Sequence, residues 1–127
     1  MLPKRLRITQ EATETLKLIK ARTGVTPNIA CRLALIVSLE RGAVEGQHAA
    51  EQVGSEFNSS TLFGEHENLF ETLILEVHGF LGQKEKVDTI VSHIGSGLTR
   101  LRKAKNLNDL MLLVNLDRVS PSNHSES

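Results

Sequence analysis

Arg22-Thr23-Gly24-Val25-Thr26-Pro27-Asn28-Ile29-Ala30-Cys31-Arg32-Leu33-Ala34 is the stretch that decides the fold. It joins the end of one helix to the start of another. Gly24 stands where a helix C-terminal glycine belongs. Thr26-Pro27-Asn28 then reads as a helix start, with Thr26 at the cap and Pro27 at the first helical position, where a missing N–H costs nothing. Upstream, Thr9 caps a first helix beginning near Gln10. Glu11 and Glu14 lie in its early turns and Lys17, Lys20 and Arg22 in its late ones, an order that suits the helix macrodipole. Ala12, Leu16 and Ile19 follow helical spacing and face a core.

Further upstream, Lys4-Arg5-Leu6-Arg7-Ile8-Thr9 alternates with the period of a half-buried strand, Leu6 and Ile8 on one side and Arg5 and Arg7 on the other. So short a strand needs a partner. No second strand stands out elsewhere, so the expected partner is the same segment of a symmetry mate, the alternative being a merely extended segment. The expected fold is therefore mainly α, with a ribbon-helix-helix-like N-terminal part followed by two to three further helices.

The second helix is expected to run to about Arg41 and stop at Gly42. Ile29, Ala30, Leu33, Ala34 and Val37 make one apolar face, and Cys31, Leu35 and Leu39 the opposite one. A helix apolar nearly all round is buried nearly all round. A chain of 127 residues offers few places to do that, which predicts a subunit interface built on this helix. Residues 43–61 read as a long acidic connection. Helices follow at about Glu65–His78, at about Glu85–Lys103 and from Leu107 to about Leu116. Gly95-Ser96-Gly97 marks a kink or a close helix crossing in the second of these. Residues 1–117 read as one helical domain and 118–127 as a Ser-rich, disordered tail.

The composition, 39% hydrophobic and 24% charged, is that of a globular chain. There is no apolar run near the ~20 residues of a membrane span. The opening Met1-Leu2-Pro3-Lys4-Arg5-Leu6-Arg7 lacks the apolar stretch of a signal peptide, and a single cysteine excludes an internal disulfide. A cytoplasmic location is the expectation. With no Trp or Tyr and four Phe, broad stacking on bases is not expected.

A net charge of zero hides a segregation. Residues 1–42 hold eight Lys/Arg and three acids, a net +5; residues 43–81 hold seven Glu and no Lys/Arg, −7; the remainder is +2. Local potential rather than overall charge attracts a polyanion. A basic strand with Arg5 and Arg7 outward, Lys17, Lys20 and Arg22 late in helix 1, and the free N–H groups at Thr26-Pro27-Asn28 together suggest phosphate contact. An ordinary solvated basic face accounts for the same charges. The acidic middle third would face protein partners, since like charge repels phosphate.

Chemistry is harder to find. Cys31 lies in an apolar helix with no base nearby in sequence and reads as a buried structural thiol. His66, His78 and His93 show no HExxH and no paired spacing, so no metal site is expected. His93-Ile94-Gly95-Ser96-Gly97 is neither a P-loop nor a dinucleotide loop, so no nucleotide cofactor is expected either.

The stretch quoted first resembles the TGxTPN-xxxR-xA core of the DndE family, which serves the Dnd system of DNA sulfur modification (phosphorothioation). Leu2-Pro3-Lys4-Arg5-Leu6-Arg7-Ile8-Thr9, Leu62-Phe63-Gly64-Glu65-His66 and His93-Ile94 with Gly97-Leu98 extend the resemblance over roughly residues 2–112. The system replaces a non-bridging phosphate oxygen of DNA with sulfur. The resemblance implies a compact helical subunit that assembles into a tetramer and is linked to nicked duplex DNA. It implies partners too: a cysteine desulfurase, an iron–sulfur protein and an ATPase, in which the chemistry resides. By position Gly24 is the family's inter-helix glycine.

The resulting expectation is a non-catalytic DNA-binding and assembly subunit without a cofactor. Lys4, Arg5, Arg7, Lys17, Lys20 and Arg22 would face DNA, and Gly24, Thr26, Pro27, Leu35 and Leu39 would hold the fold and the assembly. The alternative is a ribbon-helix-helix regulator binding operator DNA, although roughly 85 residues after helix 2 exceed what such a repressor needs. A nickase, a sulfur carrier through Cys31 and a scaffold that binds only protein are the remaining readings.

Overall fold

A computed structural model describes residues 2–42 and 52–115. The segment 43–51, the first part of the expected acidic connection, and the expected tail at 118–127 lie outside the described residues. The chain is mainly helical with one short sheet, as expected. Strand β1 (Arg5–Arg7) is followed by α1 (Gln10–Thr23) and α2 (Pro27–Glu40). Then come β2 (Glu56–Asn58), α3 (Ser59–Phe63), a 3-10 turn at Gly64–His66, α4 (Glu67–His78) and α5 (Gln83–Leu101). Residues 107–115 form a last helical stretch.

Thr9 caps α1 as its sequence predicts, its hydroxyl accepting from the Ala12 N–H at 3.0 Å. The helix ends at Gly24, whose φ of 81° is left-handed and whose N–H donates to the Lys20 carbonyl. Pro27 opens α2, and Thr26 stands at the cap with extended φ and ψ, but its hydroxyl accepts no capping bond.

Two expectations are corrected. First, β1 does not wait for a symmetry mate. It pairs antiparallel with β2 of its own chain, Arg5 opposite Asn58, Leu6 opposite Phe57 and Arg7 opposite Glu56. The ladder continues past both strands, with Ser59 N–H to Lys4 O, Ile8 N–H to Ser55 O and Gly54 N–H to Ile8 O. Residues 56–61 are thus strand and the start of a helix, not connection. Second, most of α2 is buried without a second subunit, with Ile29 left 42% exposed. Ala30, Cys31, Ala34, Leu35, Val37, Ser38 and Leu39 are all buried within this chain, so Leu35 and Leu39 are core rather than interface residues. The physical reason is that α2 is the central helix. It contacts α1, α3 and α4, and packs most extensively along α5.

The α2–α5 crossing is close because of Gly97. A Cβ there would lie 2.1 Å from the Ala34 carbonyl oxygen. The glycines at 95 and 97 leave α5 continuous from Gln83 to Leu101, and Gly97 serves close packing. Gly54 plays a similar part at the other end of the fold. A Cβ there would lie 2.3 Å from both the Thr13 hydroxyl and the Thr9 carbonyl oxygen, so the chain entering β2 lies directly on the first turn of α1. The Thr13 hydroxyl also accepts from the Ser55 N–H at 2.8 Å.

Candidate nucleic-acid interface

The inner side of the small sheet is apolar, with Leu6 fully buried. The outer side carries Arg5 and Arg7 on β1 facing Asn58 and Glu56 on β2, since directly paired residues share a face. Both arginines are exposed, as is Lys4 just before them. The Arg7 guanidinium is held at two points: Nη1 donates to the Gly54 carbonyl at 2.8 Å, and Nη2 lies 3.7 Å from Glu56 Oε2.

On α1 the exposed positions include Gln10, Glu11, Glu14, Lys17 and Lys20, a stripe at helical spacing that is acidic early and basic late. Lys17 borders an open groove of about 290 Å³, together with Thr13 and Leu16 of α1, Pro27 at the start of α2, and Ser55, Glu56 and Phe57 of the β2 segment. Lys17 and Pro27 thus border one groove with Glu56, whose carboxylate pairs with Arg7. Lys20 follows Lys17 one turn along α1, and Lys4 and Arg5 continue the basic surface along β1.

Arg22 is exposed and also makes contacts within the chain. Its Nη1 donates to the carbonyls of Arg102 at 3.2 Å and Ala104 at 3.5 Å, tying the end of α1 to the end of α5. That contact gathers exposed Arg102, Lys103 and Lys105 around Arg22. Sequence reasoning misses these three because they sit in a segment of nearly balanced charge. The available signal is their crowding into residues 100–105. Cations there also complement the partial negative charge of the two helix ends.

Arg32, part of the quoted stretch, turns inward. Its Nε donates to the Leu62 carbonyl at 2.6 Å and its Nη2 to the Thr61 carbonyl at 3.4 Å, at the end of α3. Cys31 is fully buried, and burial pushes its thiol up to about 12. His93 is buried as well. Its Nδ1 lies 2.7 Å from the Ser38 hydroxyl and its Nε2 lies 2.7 Å from His78 Nε2. Burial, with the neighbouring His78, holds the His93 imidazole down at about 4, and burial lowers His78 also. Among the described residues no group of three or more His, Cys, Asp or Glu is placed to hold a metal ion.

The family model described as DNA sulphur modification protein DndE matches residues 5–109. The chain belongs to the DndE family. The crystal structure of DndE from Escherichia coli B7A, involved in DNA phosphorothioation modification, is 29% identical, covering 78% of this chain and 96% of that one with a TM-score of 0.71. A crystal structure of a DndE mutant with two glycines replaced by lysine, involved in DNA phosphorothioation, is 26% identical, covering 78% and 97% with a TM-score of 0.69. A comparison with curated protein sequences found no match. The DndE family match spans β1, the groove and α5, so the groove and both arginines of the sheet lie inside the matched region. No helix among the described residues is long and apolar enough to cross a membrane.

Proposed function

We propose that this DndE-family chain is the DNA-binding and assembly subunit of a phosphorothioation complex, with the sulfur chemistry carried by its partners. One observation supports it above the others: Lys17 borders a groove with Glu56, the partner of exposed Arg7, and exposed Lys4, Arg5 and Lys20 add positive charge on β1 and α1. α1 is about 20 Å long, so this surface follows several phosphates of a duplex. The contacts are to phosphate, which suits a protein that ignores base sequence and accepts a nicked strand.

The other Dnd-system proteins and a second copy of this chain need surface away from the groove. Exposed Leu69, Leu75, Phe80, Leu107, Met111 and Leu112 offer apolar area for them. A homotetramer is the arrangement the family resemblance implies, and the single cysteine and the opening sequence suit a cytoplasmic location. A catalytic Cys31 is disfavoured by its burial and raised pKa, since the thiolate is the reactive form.

The test is a salt-titrated binding assay with matched intact, nicked and single-stranded DNA on protein of known oligomeric mass. Binding that weakens steeply with salt, favours the nick and loses affinity in Lys17→Gln and Lys20→Gln supports the reading. Absence of binding to every form at low salt overturns it.

A further inference from the structure

Glu56 belongs to the acidic middle third, which charge alone assigns to protein partners. The fold puts it elsewhere. It sits opposite Arg7 in the sheet, its carboxylate 3.7 Å from Arg7 Nη2, and it borders the groove that Lys17 borders from α1. Resting on the DNA-binding reading, we infer that Glu56 is a built-in competitor for backbone phosphate, occupying the Arg7 site until DNA displaces it.

Three observations carry this. The ion pair is weak enough to exchange: at 3.7 Å, with the two side chains 49% and 44% exposed, it belongs to the class of surface pairs that add little to stability. The arginine is anchored independently of the carboxylate, because Nη1 donates to the Gly54 carbonyl, and Gly54 is itself packed against α1. When the carboxylate swings away, the guanidinium stays in place with Nη2 free to donate to an incoming anion. Finally, a phosphate diester oxygen accepts from an arginine N–H as a carboxylate oxygen does, so Nη2 can serve either anion. The exchange swaps one anion for another on Arg7, and the displaced carboxylate remains close to the bound strand as a like charge. The expected effect is to lower affinity for the duplex overall and to keep release fast.

The experiment is a double-mutant cycle on the full-length chain in its native oligomeric state, with one nicked duplex as the probe, over a salt titration. Glu56→Gln keeps the size of the side chain and its hydrogen-bonding capacity while removing the charge. It should tighten binding about two- to fivefold at ~0.1 M salt and steepen the salt dependence. In an Arg7→Gln background the same change should give less than half that gain. Glu56→Gln should leave thermal unfolding nearly unchanged within each background, since the ion pair is half exposed, whereas Arg7→Gln lowers it in both by losing the bond to the Gly54 carbonyl.

If wild-type protein binds but Glu56→Gln binds no more tightly, the role assigned to Glu56 is wrong while the DNA reading stands. An undiminished gain in the Arg7→Gln background overturns it too, by showing a general field effect. If wild type shows no salt-dependent binding at all, the DNA reading falls and this inference falls with it.

Discussion

Gly97 of α5 and Ala34 of α2 touch so closely that a methyl group on Gly97 would lie 2.1 Å from the Ala34 carbonyl oxygen. The neighbour is backbone, so it cannot step aside as a flexible side chain can. Gly97→Ala should therefore lower stability by about 2–3 kcal/mol through overpacking, even though alanine favours a helix by up to ~1 kcal/mol over glycine. Urea unfolding gives the number. A gain in stability would show that the two helices part easily, and that the crossing does not depend on the missing side chain.

Gly24 is a different case. A Cβ at this position would meet nothing within 4 Å, but the backbone φ is +81°. The cost of a side chain there is backbone strain alone, about 1–2 kcal/mol for Gly24→Ala. Gly24→Asn should cost less than Gly24→Ala, because asparagine enters the left-handed region more readily. Equal midpoints for all three proteins in urea would contradict the assignment of Gly24 as a left-handed cap.

Protonation should act on stability through His93. An unfolded histidine takes up its proton as pH falls through about 6.5. The folded imidazole, buried against Ser38 and His78, resists until about 4. The folded state thus binds fewer protons between those values, so stability is complete above about pH 6.5 and drains away as pH falls towards 4. The loss from His93 is on the order of 3 kcal/mol at the acid end. Urea midpoints from pH 7.5 to 4.5 should fall in wild type and fall less steeply over that interval in His93→Gln, with His78 supplying part of what remains. An identical slope in the variant would place the acid sensitivity elsewhere.

Arg22 and Lys20 stand two residues apart with different expected behaviour. Arg22→Ala removes the tie to the Arg102 and Ala104 carbonyls and should cost about 0.5–1.5 kcal/mol of stability. Lys20→Gln should leave stability within about 0.5 kcal/mol, lower DNA affinity and reduce the salt slope by about one phosphate contact. The opposite pattern, with Lys20 stabilising and Arg22 acting only on DNA, would reverse the two roles.

Cys31 should resist modification. The native protein at pH 8 should leave its thiol unlabelled by an aromatic disulfide reagent over minutes, and should react fully in denaturant. Rapid labelling of the folded protein would reopen the sulfur-carrier reading.

Local signals make much of this fold legible. Thr9, Gly24 and Pro27 mark helix ends that hold to the residue, because capping chemistry is a property of a few adjacent positions. The strand at Arg5–Arg7 is visible in its alternation, but its partner is not. Glu56–Asn58 is three residues with one apolar side chain, too short for any period to show. With β2 hidden in this way, a symmetry mate is the partner that the sequence suggests. The all-round apolar α2 reads as buried, and most of it is, with Ile29 left 42% exposed; what covers the rest, above all α5, depends on contacts between distant residues. The candidate site follows the same division. The lysines and arginines are evident from composition, whereas the placement of Glu56 against Arg7 and of Arg22 against the end of α5 is tertiary.

The groove is made of pieces that are far apart along the chain: Arg7 by way of Glu56, Lys17, Pro27 and Phe57. The ladder that sets Arg7 in place closes only when β2 docks, which requires α1 to be formed beneath Gly54. A nascent or unfolded chain owns the same lysines and arginines but not their arrangement. Recognition and folding thus share one equilibrium, and nucleic acid held at the groove would raise the melting temperature of the protein in proportion to the logarithm of its concentration.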